Sequence, residues 1–141
     1  MSGTHAIAVG DQRTSQPYLL DADAAEAYGR ALDSPRRRRP PKNIHSDPDA
    51  AAKAGFTAPI AAGEQTVAVI GQFLAAEFGM RFLRGGRIDV SLTLPVLYGD
   101  TLVSHALADR EDAELLHLKI WVENQSGDRV LEGTATLRRD A

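Results

Sequence analysis

Four histidines are the side chains best suited to moving a proton near neutral pH, and their surroundings differ. His45 lies in a polar loop, two residues after Asn43 and just ahead of Asp47-Pro48. An Asp N-cap followed by proline at the first helical position starts a helix there. In that loop the ring either serves as an acid and base or hydrogen-bonds locally as a structural histidine. His5 falls in the terminal segment, while His105 and His117 sit in strand patterns, facing solvent or a neighbouring strand. Gly63 and Glu64 open the most apolar helical pattern in the chain. A glycine at that position either lets a carbonyl approach the helix N–H groups or simply makes a tight turn after Pro59. Glu64 either reaches into a pocket beside His45 or stabilises the helix start through the dipole. The arginine run at residues 36–39 reads as a solvated loop or as an attractor for phosphates and acidic surfaces. There are no cysteines, which excludes thiol nucleophiles, thiolate metal sites and disulfides.

The elements that must position these groups divide into two halves. Asp21 caps a helix through Tyr28 and Leu32, with Leu20, Ala24, Tyr28 and Leu32 on one stripe. Prolines and cations across residues 34–42 end it. The helix starting at Asp47-Pro48 stops at Gly55. A longer one follows Pro59, with Val67, Ile70, Leu74 and Phe78 at intervals of three and four, widened by Val69 and Phe73, and stopped by Gly79. Apolar and polar residues then alternate across 88–94, 101–108, 116–122 and 130–137. Turn chemistry at Tyr98-Gly99-Asp100 and at residues 124–128 separates some of these runs, and short turns between adjacent strands predict an antiparallel meander. Tyr98 and Trp121 read as packing residues. One apolar helix ahead of such a sheet predicts an α+β domain in which the sheet curls around the helix.

A chain of 141 residues supplies one core, and 43% hydrophobic with 25% charged residues excludes disorder throughout. Sixteen Lys+Arg against nineteen Asp+Glu leave a net charge of -3, which argues against a dedicated nucleic-acid binder. Residues 1–10 lack a signal-peptide pattern, and the apolar run at 66–78 is broken by Gln72 and Glu77 and too short to span a bilayer. The expectation is a cytoplasmic protein without membrane contact.

Several segments in register resemble one family. Asn43-Ile44-His45-Ser46-Asp47-Pro48, then Gly55-Phe56-Thr57-Ala58-Pro59-Ile60-Ala61-Ala62-Gly63, look like the signature of MaoC-like (R)-specific enoyl-CoA hydratases and dehydratases. Residues 94–102 match the family's Pro-Val-x-x-Gly-Asp-x-Leu run, and residues 133–137 match its usual last strand. The resemblance implies a single hotdog domain over 18–141 after an extension at 1–17, with a curved antiparallel sheet wrapped around a long helix. It also implies a homodimer, or a heterodimer with another hotdog subunit. Water would be added to, or removed from, the double bond beside an acyl thioester carried by coenzyme A or an acyl carrier protein, without a cofactor or metal. His45 matches the catalytic histidine, and Gly63 the glycine whose N–H stabilises the thioester oxygen. Asn43, Ala62, Arg37 and Arg39 fall at substrate-binding positions or in the loop that would meet the carrier's phosphates.

The chain departs from the family at two catalytic positions. The position of the family's aspartate is Pro40, and Ala62 stands where a histidine usually precedes the helix glycine. Asp33 or Glu64 would have to supply the carboxylate, since Asp47 is committed as a helix cap. Two other readings follow from the missing aspartate. One is a catalytically degenerate hotdog subunit that pairs with an active homologue. The other is a His-dependent isomerase or cyclase acting on a specialised metabolite.

Overall fold

The computed structural model describes residues 6–32 and 43–139, with the side chain of Leu32 outside the description. Four helices and six strands follow in order: β1 (Gln12–Thr14), β2 (Tyr18–Leu19), α1 (Ala22–Leu32), α2 (Pro48–Lys53), α3 (Gly63–Phe78), α4 (Met80–Leu83), β3 (Arg87–Leu92), β4 (Thr101–Glu111), β5 (Leu115–Glu123) and β6 (Arg129–Arg138). The helix starts obey local chemistry. Ala24 N–H donates to Asp21 Oδ1 at 2.8 Å ahead of α1. Asp47 caps α2, with Pro48 in its first turn. The α3 helix ends where Gly79 takes a φ of 54°, a conformation that resists a side chain.

The core is one cluster. Ile70, Phe73, Leu74 and Phe78 of α3 pack with Leu102 and Ala106 of β4, Leu116, Leu118, Ile120 and Val122 of β5, and Leu131, Ala135 and Leu137 of β6. Alternate residues of β4 and β5 are buried, as a period-two strand with one covered face requires. On the opposite face, His105 of β4 stacks on Trp121 of β5, with ring centroids 4.9 Å apart and planes 13° from parallel. The Arg129 guanidinium lies 4.7 Å from the same Trp121 ring. His105 Nδ1 is 3.1 Å from Thr14 Oγ1, which ties β1 to this face.

The strand order is β1-β4-β5-β6-β3, with β2 pairing separately along β4. This corrects the simple meander expected from the sequence. Strands β4, β5 and β6 do follow one another, but β3 pairs antiparallel with β6, from Arg87↔Thr136 to Leu92↔Leu131. The reason lies in residues 93–100, which do not form a tight turn. Ala61 N–H donates to the Val96 carbonyl and Tyr98 N–H to the Pro59 carbonyl, so the segment pairs with the approach to α3 instead. It carries the chain from one edge of the sheet toward the other. Gly133 makes the β3–β6 contact possible, because a Cβ there would strike the Asp89 carbonyl and Val90 Cα. The short β1 and β2 were not anticipated, and β1 brings residues 12–14 of the expected extension into register with β4.

Candidate active site

The crossing of residues 93–100 over the start of α3 creates the site. His45 is held there from two sides. Asn43 Oδ1 accepts from the His45 backbone N–H at 2.8 Å, and the Asn43 carbonyl accepts from Ser46 and Asp47 N–H, which fixes the loop as a turn. Across the gap, Ile60 N–H donates to the Ile44 carbonyl at 3.0 Å. The His45 ring joins the same strip, with Nδ1 2.8 Å from the Ile60 carbonyl oxygen. A carbonyl only accepts, so Nδ1 carries the proton, and Nε2 is the basic nitrogen of the neutral ring.

His45 lines a cleft of about 340 Å³, together with Ile60, Ala61, Gly63, Thr66 and residues 92–96. Gly63 is the first residue of α3, so its N–H has no acceptor within the helix. Sixteen helical residues stand behind it, and their dipole favours negative charge at this end. A Cβ on Gly63 would come within 2.7 Å of Leu92 Cδ1, so the glycine keeps the cleft open beside β3. Ala62 is the N-cap in extended conformation and supplies no side-chain cap. A groove of about 440 Å³ between β3 and β6, lined by Arg87, Asp89, Thr134 and Thr136 among others, holds no histidine.

The residues singled out from the sequence separate in space. His45 and Gly63 share the cleft, and Asn43 orients the loop behind His45. Glu64 is exposed in the first turn of α3 and does not line the cleft. Asp47 caps α2, accepting from Asp49 N–H. Asp33, Arg37, Arg39, Pro40 and His5 lie outside the described residues. Among the described residues, no carboxylate lines the cleft, and no group of three or more His, Asp or Glu side chains could hold a metal ion. No helix among them is long and apolar enough to cross a membrane.

Two groups at the cleft were not singled out from the sequence. The Ile60 carbonyl is backbone, and no residue type announces it. Thr66, only 3% exposed, puts a hydroxyl-bearing side chain one helical turn from Gly63. The i, i+3 spacing from the glycine is the signal that could have found it. His117, which has a strand position, pairs with Asp112 Oδ2 at 2.8 Å and does not line the cleft.

A curved antiparallel sheet around one long helix defines the hotdog fold. Residues 41–136, more than half of the chain, match the sequence profile described as MaoC like domain, and the chain belongs to that family. A search of the curated proteins finds no match. Among solved structures, the fold is similar to an (R)-hydratase from A. caviae involved in PHA biosynthesis, with a TM-score of 0.70, 21% identity, and 94% of this chain and 96% of that one covered. It is similar also to the R-hydratase PhaJ1 from Pseudomonas aeruginosa, with a TM-score of 0.73, 21% identity, and 93% and 81% covered. A third similar structure is the HadBC complex, a (3R)-hydroxyacyl-ACP dehydratase from Mycobacterium tuberculosis, with a TM-score of 0.65, 19% identity, and 92% and 96% covered.

Proposed function

We propose that the chain acts as a hydratase or dehydratase on a 2-enoyl or 3-hydroxyacyl thioester, with His45 as the proton shuttle. The observation that carries this reading is the 2.8 Å contact between His45 Nδ1 and the Ile60 carbonyl, which leaves Nε2 basic in the cleft that Gly63 shares. In the hydration direction, Nε2 removes a proton from water as the water oxygen bonds to the β-carbon. The π electrons move through the α-carbon onto the thioester oxygen. The unsatisfied Gly63 N–H and the α3 dipole stabilise that charge. The imidazolium then returns its proton to the α-carbon, so one base serves both transfers and the atoms balance. Apolar Leu92, Leu94 and Val96 hold the acyl chain beside these groups.

Purified protein incubated with crotonyl-CoA should bleach the enoyl absorbance. His45→Ala should lower kcat about 10²- to 10⁴-fold, the usual contribution of a positioned acid and base. An active His45→Ala variant would overturn the assignment of the residue.

A second reading is favoured by one observation, the lack of a carboxylate in the cleft among the described residues. In it the chain is the non-catalytic half of a hotdog heterodimer, in the manner of two-subunit assemblies such as HadBC. Affinity purification from the native source separates the two: a stoichiometric hotdog partner supports this reading, and an active homodimer sinks it.

A further inference from the structure

The face of the sheet turned away from the core holds a second ionisable cluster, which the proposed reaction does not use. His105 stands in one cross-strand row with Thr14 of β1, Trp121 of β5 and Glu132 of β6. Its Nε2 is buried and has no hydrogen-bond partner among the described residues. Glu123 Oε2 lies 3.4 Å from it, within ion-pair reach but short of hydrogen-bond geometry. The other oxygen of that carboxylate accepts from Trp121 Nε1–H at 3.0 Å. On its far side the ring meets β1, with Nδ1 3.1 Å from Thr14 Oγ1 and 3.4 Å from Gln12 Nε2. A carboxylate only accepts and an amide nitrogen only donates, so the neutral ring carries its proton on Nε2 and accepts from β1 at Nδ1. The remaining charges nearby are already paired. Arg129, over Trp121, bonds Glu132 at 3.3 Å. Lys119, two residues before Trp121, meets Asp109 at 3.5 Å, and Arg13 meets Glu77 of α3 at 3.2 Å. Glu123 is therefore the unneutralised charge that faces the imidazole.

We propose that β1 is an acid-released strap over the edge of β4, with His105 as its catch. Proton uptake makes both ring nitrogens donors. Nδ1 then no longer accepts from the Gln12 amide, and the Thr14 hydroxyl must turn round to accept. Nε2 meanwhile brings an imidazolium charge opposite Glu123, and a charged pair closes such a gap more strongly than a neutral one. The bonding of the ring passes from β1 to β5. What then holds the strap is thin. β1 pairs only three residues with β4. Gly10 N–H to the Ala108 carbonyl and Ser15 N–H to the Ser104 carbonyl bracket them. The Arg13–Glu77 pair on the other face is partly exposed, and such pairs contribute little in water. Because the proton favours the released arrangement, lowering the pH populates it. Release uncovers β4 at residues 105–107, an unpaired ladder of the kind that recruits another strand. Nothing in the strap depends on the thioester reading of the cleft.

Amide hydrogen exchange on the full chain tests the strap, expressed as protection factors so that the intrinsic pH dependence drops out. The interval is about pH 8 to about pH 5, across which histidines change charge. Protection at Gly10 and Ser15 should fall about three- to tenfold on acidification, the order set by one or two side-chain hydrogen bonds. The amide of Ile120, buried in the central strand β5, should keep its protection over the same interval. Imidazole nitrogen NMR should show the Nε2–H tautomer of His105 at the high end and a doubly protonated ring where protection is lost. His105→Phe, which keeps a ring against Trp121, should abolish the step at both amides. Gln12→Ala/Thr14→Val removes the other half of the contact, and should give low protection at both ends with no step, which keeps the test decisive if His105→Phe does not fold. Glu123→Gln should shrink the step, because no carboxylate then draws the ring off β1. Protection at Gly10 and Ser15 that ignores pH, a step that persists in His105→Phe, an equal loss at Ile120, or an Nδ1–H tautomer at the high end overturns the proposal.

Discussion

A histidine that donates to a backbone carbonyl is oriented as firmly as one that donates to a carboxylate, but its imidazolium gains less. A carboxylate opposes the positive charge, whereas a carbonyl offers only a dipole. His45 has the second arrangement, through Ile60. The proposed shuttle therefore relies on geometry and on the α3 terminus for charge stabilisation. Gly63 is where that reliance is most exposed. In Gly63→Ala, the new methyl must displace Leu92 Cδ1, 2.7 Å away, and with it one wall of the cleft. Alanine favours the helix by up to about 1 kcal/mol over glycine, so the melting temperature should change little. Activity on enoyl-CoA should fall about 10²-fold, the order expected when reacting groups shift by an ångström. Measuring kcat/KM beside Tm checks both halves, and unchanged turnover would remove Gly63 from the mechanism.

Among the elements, those with local causes were legible in the residues. The capping aspartates gave the starts of α1 and α2, the three-and-four spacing gave α3, and alternation gave β4, β5 and β6. Strands β1 and β2, three and two residues long, are below the length at which alternation can be recognised. The neighbour of β3 was illegible because strand order is set by where residues 93–100 cross, and that crossing depends on backbone pairing with residues 59–61. For the same reason His45 and Gly63, which share the cleft, could be picked out as candidates from the sequence, whereas the Ile60 carbonyl could not. The family pattern places its aspartate at Pro40, which lies, with Asp33, outside the described residues.

The β4–β5 hairpin offers a prediction at this scale. Asp112 Oδ2 bonds His117 Nε2 at 2.8 Å, and its Oδ1 accepts from Glu114 and Leu115 N–H. The His117 hydrogen bond first, then these two backbone N–H groups, hold the Asp112 carboxyl well below the usual carboxylate range. A carboxyl depressed in the folded state adds stability that is complete above its unfolded value and is lost as pH falls through the folded one. Asp112→Asn should therefore melt lower than wild type near neutrality, with the gap closing in strong acid. Melting curves across that range check it. A gap that widens with acid would contradict the pairing.

For the whole molecule, one buried cluster joins α3 to the sheet. Ile70 is fully buried within that cluster. Ile70→Ala should cost about 2–5 kcal/mol, the range for truncating a large core aliphatic, read as a lower urea midpoint with an unchanged slope. A much smaller loss would mean that the core collapses readily onto the gap. Strand β3 ends the sheet, and Leu92, its last residue, and Leu94 just after it are about half exposed. Exposed edges of this kind invite pairing, in keeping with the proposed hotdog dimer. In such a dimer the cleft beside Leu92 would be covered by the second subunit.

The chain has a single tryptophan, and the fold seats it between strands, against both an imidazole and a guanidinium. Its fluorescence is therefore a built-in gauge of whether β4, β5 and β6 remain zipped together. Separation of those strands would free the indole from its stacked neighbours and shift its emission to the red. Unfolding, subunit exchange and ligand titrations can all be followed on the unlabelled protein by that one signal.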